Sequence, residues 1–175
     1  MAIRKRKIDS LVETLLVEHK VDDGPVPVAA IAKSKRARIH ADALEGDLSG
    51  FLFRDREHAV IGVNTLHPQT RQNFTIGHEL GHLLLHDQEQ LHVDRGFPVR
   101  LRNDLSSQGT DDAEREANYF AAALLMPKRF LERDLHDKDF LDLTEDTLVK
   151  VLSRKYGVST LALMNRLKNL GYIQE

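Results

Sequence analysis

Hydrophobic positions recur along the chain in two rhythms, and the places where the rhythm changes divide it into elements. In IDSLVETLLVEHK, residues 8–20, Ile8, Leu11, Val12, Leu15 and Leu16 fall at steps of three and four, which predicts an amphipathic helix. Asp22, Asp23, Gly24 and Pro25 end it, a cluster that favours a turn. A short second helix is predicted from Val28 to about Lys35, opened by Pro27, whose fixed φ suits a first helical turn. The rhythm then shifts to strands: SGFLFRD and EHAVIGVN are short apolar runs separated by Arg54-Asp55-Arg56-Glu57. They read as two antiparallel strands joined by a turn.

From about Gln69 to His86 the helical period returns, with Phe74, Ile76, Leu80, Leu83 and Leu84 around polar His and Glu positions. Residues 87–108 have weak periodicity and read as a loop, with one short strand around Val99 to Leu101. A further helix opens on Asp111, Asp112 and Glu114, carboxylates that complement the helix dipole, and stops at Met126-Pro127. The C-terminal stretch predicts two helices joined at residues 156–159, with Thr144 and Ser159 as caps. These elements imply an α+β fold. A small antiparallel or mixed sheet packs on the histidine-bearing helix and on the helix after it, and a helical segment follows. The expected division is a domain over residues 1–130 and a C-terminal segment over 131–175.

Composition narrows what such a fold could do. At 175 residues and 41% hydrophobic, the chain can bury one real core. A formal charge of -2 argues against a general polyanion binder. No apolar run reaches the ~18 residues of a membrane span, and no apolar stretch follows the basic MAIRKRKIDS, so a cytoplasmic protein with no membrane partner is expected. Cysteine is absent, which leaves histidine, carboxylate and water as the ligands for any metal.

FTIGHELGHLLLH, residues 74–86, is where such ligands gather. His78 and His82 stand one helical turn apart on one face, so two imidazoles can converge on one ion. Glu79 stands beside the first ligand, suited to take a proton from an attacking water rather than to ligate. Gly81, between the ligands, is expected to leave room at the metal or the substrate. His86 continues the step of four, but it lies roughly 12 Å along the axis from His78, too far for one tetrahedral ion. It is expected to pack or hydrogen-bond at the end of the helix.

A third ligand is sought on EREANYFAAALLMP, where Glu114 and Glu116 compete. Glu114 shares a face with Ala117, Asn118 and Ala121, small residues that permit close helix approach. Asn118 is also able to hydrogen-bond a ligand histidine. Glu116 lies on the bulkier face of Phe120 and Ala123, so Glu114 is preferred. Zn²⁺ is the expected ion, with Mn²⁺ as an alternative working metal.

The two blocks, with VIGVN, Arg71 and Phe74 before them, resemble the ImmA/IrrE family of metallo-endopeptidases over roughly residues 26–130. The resemblance implies a pared-down thermolysin-like zincin. His78, His82 and a glutamate of the second helix would hold the metal, and Glu79 would be the base. It also implies a protein substrate, a helix-turn-helix repressor whose cleavage induces mobile-element or stress-response genes. A metal-bound antirepressor that acts without cleavage is the alternative. The edge of the strand at Ala59 to Asn64 is expected to hold an extended substrate by strand addition. Tyr119 and His92 are both candidates for stabilising an oxyanion, and the residues alone do not choose between them.

RKYGVSTLALMNRLKNLGYI resembles the turn and second helix of a helix-turn-helix, with Arg166 and Lys168 on the latter. From Thr144 to Glu175 there are five basic and three acidic side chains, a net of +2 that is thin for phosphate neutralisation. Helix packing or repressor docking is therefore expected there rather than direct DNA binding.

Overall fold

The structure, a computed structural model, describes residues 3–55, 58–86, 91–94, 108–136 and 145–173. The first helix, α1 (Lys5–Glu18), buries Ile8, Val12, Leu15 and Leu16, four of the five positions of the predicted stripe. Helix α2 (Val28–Ser34) begins after Pro27 and buries Val28, Ile31 and Ala32. The strands β1 (Ala37–Asp42), β2 (Gly50–Arg54) and β3 (Ala59–Asn64) precede α3 (Gln69–Leu85), and β4 (Leu91–Asp94) follows it. Helices α4 (Gln108–Leu125), α5 (Lys128–Leu135), α6 (Glu145–Tyr156) and α7 (Thr160–Leu170) are the later elements among the described residues. The outcome is an α+β fold with one mixed sheet and helices at its C-terminal end.

The sheet runs β1-β3-β2-β4. Strands β2 and β3 are antiparallel, as the hairpin pattern predicts, but β1 joins the other side of β3 in parallel, Ala37 opposite Ala59 and Asp42 opposite Asn64. Strand β3 is therefore central, with five of its six residues buried. The expectation that Ala59–Asn64 offers an edge to a substrate is overturned for that reason, because its ladder is filled on both sides. Among the described residues the edges are β1 and β4, and β4 pairs antiparallel with β2.

Helices α3 and α4 cross at a seam of small residues. A Cβ on Gly77 would lie 3.3 Å from the Cβ of Ala121, and one on Gly81 would lie 3.1 Å from the Cα of Ala117. Gly81 thus serves the approach of two backbones rather than room at a metal, which corrects the sequence expectation. Ala117 and Ala121 are fully buried on α4. The seam brings the polar residues of the two helices to within hydrogen-bonding distance.

The C-terminal helices share the same core. Val149, Leu152, Tyr156, Val158, Leu163 and Leu167 belong to one buried cluster with α1, the sheet and α4. Gly157, at φ +63°, makes the turn between α6 and α7. Ser159 caps α7, its hydroxyl accepting from the backbone N–H of Ala162 at 3.1 Å. Thr144, the other predicted cap, lies outside the described residues, as do residues 99–101. Arg166 turns inward, 2% exposed, and its Nε donates to the carbonyl of Met126 at 3.2 Å, so it is not presented to a phosphate. Among the described residues no helix is long and apolar enough to cross a membrane.

Candidate metal centre

From Thr75 to His82 every residue of α3 is buried, because α4 covers one side and the sheet another. His78 and Glu79 are withdrawn from solvent almost completely, and such groups demand partners. His78 Nε2 and His82 Nε2 face one another at 3.1 Å. Glu114, at the start of α4, brings Oε2 to 3.4 Å from His78 Nε2 and Oε1 to 3.3 Å from His82 Nε2.

That triangle tests whether a metal fits. Donors bound at 2.0–2.1 Å to one tetrahedral ion stand about 3.3 Å apart. The three separations match that edge, and the donor set of two imidazoles and a carboxylate suits Zn²⁺. The lone pairs of two buried ring nitrogens cannot face each other without a proton or a cation between them. His78, His82 and Glu114 are therefore the residues that could hold the ion. The ligand-type atoms of His78, His82, His92 and Glu114 all lie within 4.8 Å of one another.

His92, on β4, stands differently. Its Nδ1 is 3.0 Å from Glu79 Oε2 and its Nε2 is 2.7 Å from Glu114 Oε1. The second separation is that of a charge-assisted hydrogen bond, shorter than two ligands of one ion adopt. His92 bridges the two carboxylates as a double donor. The other oxygen of Glu79, Oε1, is buried with no hydrogen-bond partner among the described residues.

The charges follow from these contacts. Burial would raise the Glu114 carboxyl, but hydrogen bonds from His78, His82 and His92 outweigh it and hold the group well below the usual carboxylate range. Burial pushes His82 down to about 4 against the pull of Glu114, which keeps its ring neutral at ordinary pH. Burial would also lower His78, but the bond to Glu114 and the charges of Glu79 and Glu114 prevail and raise it. For His92, burial is overcome by its bonds to Glu114 and Glu79, which raise the ring to about 10. Glu79 is raised by burial despite its bond to His92.

The surrounding contacts orient the rings. Asn118 Oδ1 accepts from His78 Nδ1 at 2.9 Å, the contact foreseen from the spacing of α4. Glu116, the rival for third ligand, points elsewhere: the Arg4 guanidinium and backbone N–H hold it, chiefly through the side-chain bond, and lower its carboxyl to about 2. His86 caps α3 and contacts both the His82 ring and Glu116. Of the two oxyanion candidates, His92 lies in the cluster, whereas the Tyr119 hydroxyl donates to Asp9 at 2.9 Å. Arg4 went unremarked in the sequence, since nothing local links it to a carboxylate 112 residues away.

A mixed sheet on a histidine-bearing helix, with a glutamate presented by the next helix, defines a metallopeptidase-like α+β protein. The chain belongs to the IrrE N-terminal-like domain family, Peptidase M78, whose profile matches residues 34–168. The match crosses residue 130, where the sequence suggested a boundary, and α5 (Lys128–Leu135) spans that point. In fold the chain is similar to a Mycobacterium tuberculosis transcriptional regulator, with a TM-score of 0.65 and 18% identity over 93% of this chain. The chain spans 46% of that protein's length. No curated protein sequence matches the chain.

Proposed function

We propose that this chain is a metal-dependent endopeptidase that cleaves a helix-turn-helix transcriptional repressor and so induces stress-response or mobile-element genes. The observation that carries the peptidase reading is the triangle His78–His82–Glu114 at 3.1–3.4 Å, with the unpartnered Oε1 of Glu79 in the next position along α3. The repressor as substrate follows from the family resemblance of the two helix motifs.

His78 Nε2, His82 Nε2 and one oxygen of Glu114 would hold Zn²⁺, with Mn²⁺ as the alternative. The ion, when bound, polarises the scissile carbonyl and makes water acidic enough to attack near neutral pH. Glu79 carries the proton. His92 holds its Oε2, which leaves Oε1 to accept a proton from the attacking water and return it to the departing amine nitrogen as the C–N bond breaks. Burial raises the affinity of Glu79 for that proton between the two transfers. Both N–H groups of His92 are given to Glu79 and Glu114, so its positive charge, rather than a free N–H, is what it offers to negative charge developing on the carbonyl oxygen.

Two surfaces suit an extended substrate. Strand β4 is a sheet edge carrying His92 inward and Leu91 and Val93 outward, so a peptide added there would pass the site. A cleft of about 1250 Å³, lined in part by Arg71, Phe74, Arg115, Asn118 and Leu161, reaches the asparagine that touches His78. Intact-mass analysis of a helix-turn-helix repressor, incubated with the chain and Zn²⁺ or Mn²⁺, tests the proposal. A single metal-dependent cut, absent with Glu79→Gln, is expected. An uncut repressor that stays bound would replace peptidase by antirepressor.

A further inference from the structure

His86 and Glu116 have no role in the chemistry above, yet both are largely withdrawn from solvent beside it, their side chains 18% and 7% exposed. His86 Nδ1 is 3.3 Å from His82 Nδ1, and His86 Nε2 is 3.3 Å from Glu116 Oε2. Glu116 accepts in turn from three donors of Arg4: the backbone N–H at 2.9 Å, Nε at 2.9 Å and Nη2. Arg4 Nη2 also reaches the carbonyl of Leu85, the last residue of α3, at 3.4 Å. A row of four side chains therefore runs from the chain's N-terminal end to a candidate ligand.

Proton bookkeeping gives the row one direction. For His82 to offer the lone pair of Nε2 towards His78 and Glu114, its ring proton must sit on Nδ1. That Nδ1–H faces His86 Nδ1, which can accept only if it is bare. The His86 proton then sits on Nε2, where it donates to Glu116. Glu116 completes the row only as a carboxylate, and the Arg4 guanidinium supplies the opposing charge. No other assignment leaves both His82 Nε2 free for an ion and each contact with one donor and one acceptor. His78 is ordered separately, by the neutral amide of Asn118.

We infer that Arg4, Glu116 and His86 form a tautomer-fixing row that holds His82 in its Nδ1–H form and so sets the metal affinity of the site. Arg4, His86 and Glu116 are positioning residues, and the inference rests on His78, His82 and Glu114 being ligands. It assigns a purpose to the N-terminal arginine beyond tying α1 to α4. Outer partners of metal-ligating histidines typically change metal affinity by about 10–100-fold.

The test compares Zn²⁺ affinity, by competition with a chromogenic chelator, in the full chain and in His86→Leu, His86→Gln, Glu116→Ala, Arg4→Ala and His78→Ala variants. Side-chain ¹H–¹⁵N spectra of the imidazoles and thermal unfolding are recorded on each. His86→Leu is expected to weaken zinc binding about 10–100-fold and to speed exchange of the His82 Nδ1 proton. His86→Gln should restore affinity to within about threefold of wild type, since its amide can accept from His82 and donate to Glu116. Glu116→Ala and Arg4→Ala should fall between the two. Equal loss in His86→Leu and His86→Gln would make the effect one of packing and overturn the inference. Wild-type affinity in both His86→Leu and Glu116→Ala, with zinc lost in His78→Ala, would overturn it while leaving the ligand assignment standing. Zinc retained in His78→Ala would remove the ligand assignment itself, and the inference with it.

Discussion

Two buried polar clusters in this protein invite comparison, because one is complete and the other is not. Asp134, at the end of α5 and 2% exposed, accepts from the Tyr156 hydroxyl at 2.6 Å and from Lys155 Nζ at 2.8 Å. Lys155 is also 3.0 Å from Asp23, and Arg133 lies 3.4 Å from Asp134. Burial and the bond to Asp134 push the Tyr156 hydroxyl well above its ordinary pKa, so it stays a donor. Both oxygens of that carboxylate are used. At the α3–α4 seam, by contrast, two imidazole nitrogens face each other at 3.1 Å and Glu79 Oε1 has no partner among the described residues. A closed set of hydrogen bonds fastens elements together, whereas an open set has capacity for something the chain does not supply.

The largest effect that separates the two clusters is on rate. Glu79→Gln is expected to lower repressor cleavage by about 10²–10⁴-fold, the range for loss of a general base. Zinc content by mass spectrometry should stay at the wild-type level, since the substitution spares His78, His82 and Glu114. The melting temperature should hold or rise, because the change removes a buried charge that one oxygen leaves unpaired. A fall in stability would mean that Glu79 is a structural carboxylate like Asp134. Asp134→Ala is the converse: chemical denaturation should show a loss of about 2–4 kcal/mol, as the buried Tyr156 hydroxyl loses its acceptor and Lys155 keeps only Asp23. Zinc stoichiometry should not change.

The two clusters also differ in how far the sequence discloses them. His78, Glu79 and His82 fall within five consecutive residues of FTIGHELGHLLLH, and Asn118 and Glu114 follow from a single helical face. Periodicity reaches that far because each relation is local. Strand β1 escaped it: Ala37, Ile39 and Ala41 do alternate with Arg38, His40 and Asp42, but Ile39 is the one large apolar side chain in the run and only Ala37 is buried. Strand β4 is four residues long with both apolar side chains exposed, and no pattern tied its His92 to Glu79 and Glu114. Both strands are defined by pairing with distant segments, and missing β1 is what turned the central β3 into an expected edge. Asp134 with Tyr156, and Arg4 with Glu116, join elements 22 and 112 residues apart. Nothing in either local sequence announces such pairs.

Gly81 gives a smaller effect with a clear sign. A methyl there meets the backbone of Ala117 and the Phe120 ring, both at 3.1 Å, and α4 would have to shift by a few tenths of an ångström. Gly81→Ala should cost about 1–3 kcal/mol by overpacking. Because the shift moves Glu114 relative to His78 and His82, zinc affinity should fall with it. A variant that loses stability and keeps zinc affinity would show that the site tolerates displacement of its third ligand.

The smallest expected effect bears on whether residues 131–175 form a unit of their own. The C-terminal helices are tied into the rest by Asn73 Nδ2 donating to the carbonyl of Gly157 at 3.3 Å and by Arg166 on Met126. Tyr156 also packs so near Gly24 that a Cβ there would lie 2.9 Å from its ring. Ser159→Ala removes one cap at the start of α7 and should cost about 1 kcal/mol. For a chain of this size that lowers the melting temperature by about 2–4 °C. Calorimetry is expected to show one transition that moves as a whole, because the hydrophobic cluster is shared. Two transitions, of which only one responds to Ser159→Ala, would mean that the C-terminal helices unfold independently. The polar cluster at Asp134 would then be a joint between domains, and the contrast with the metal centre would lie between a hinge and a site within one domain.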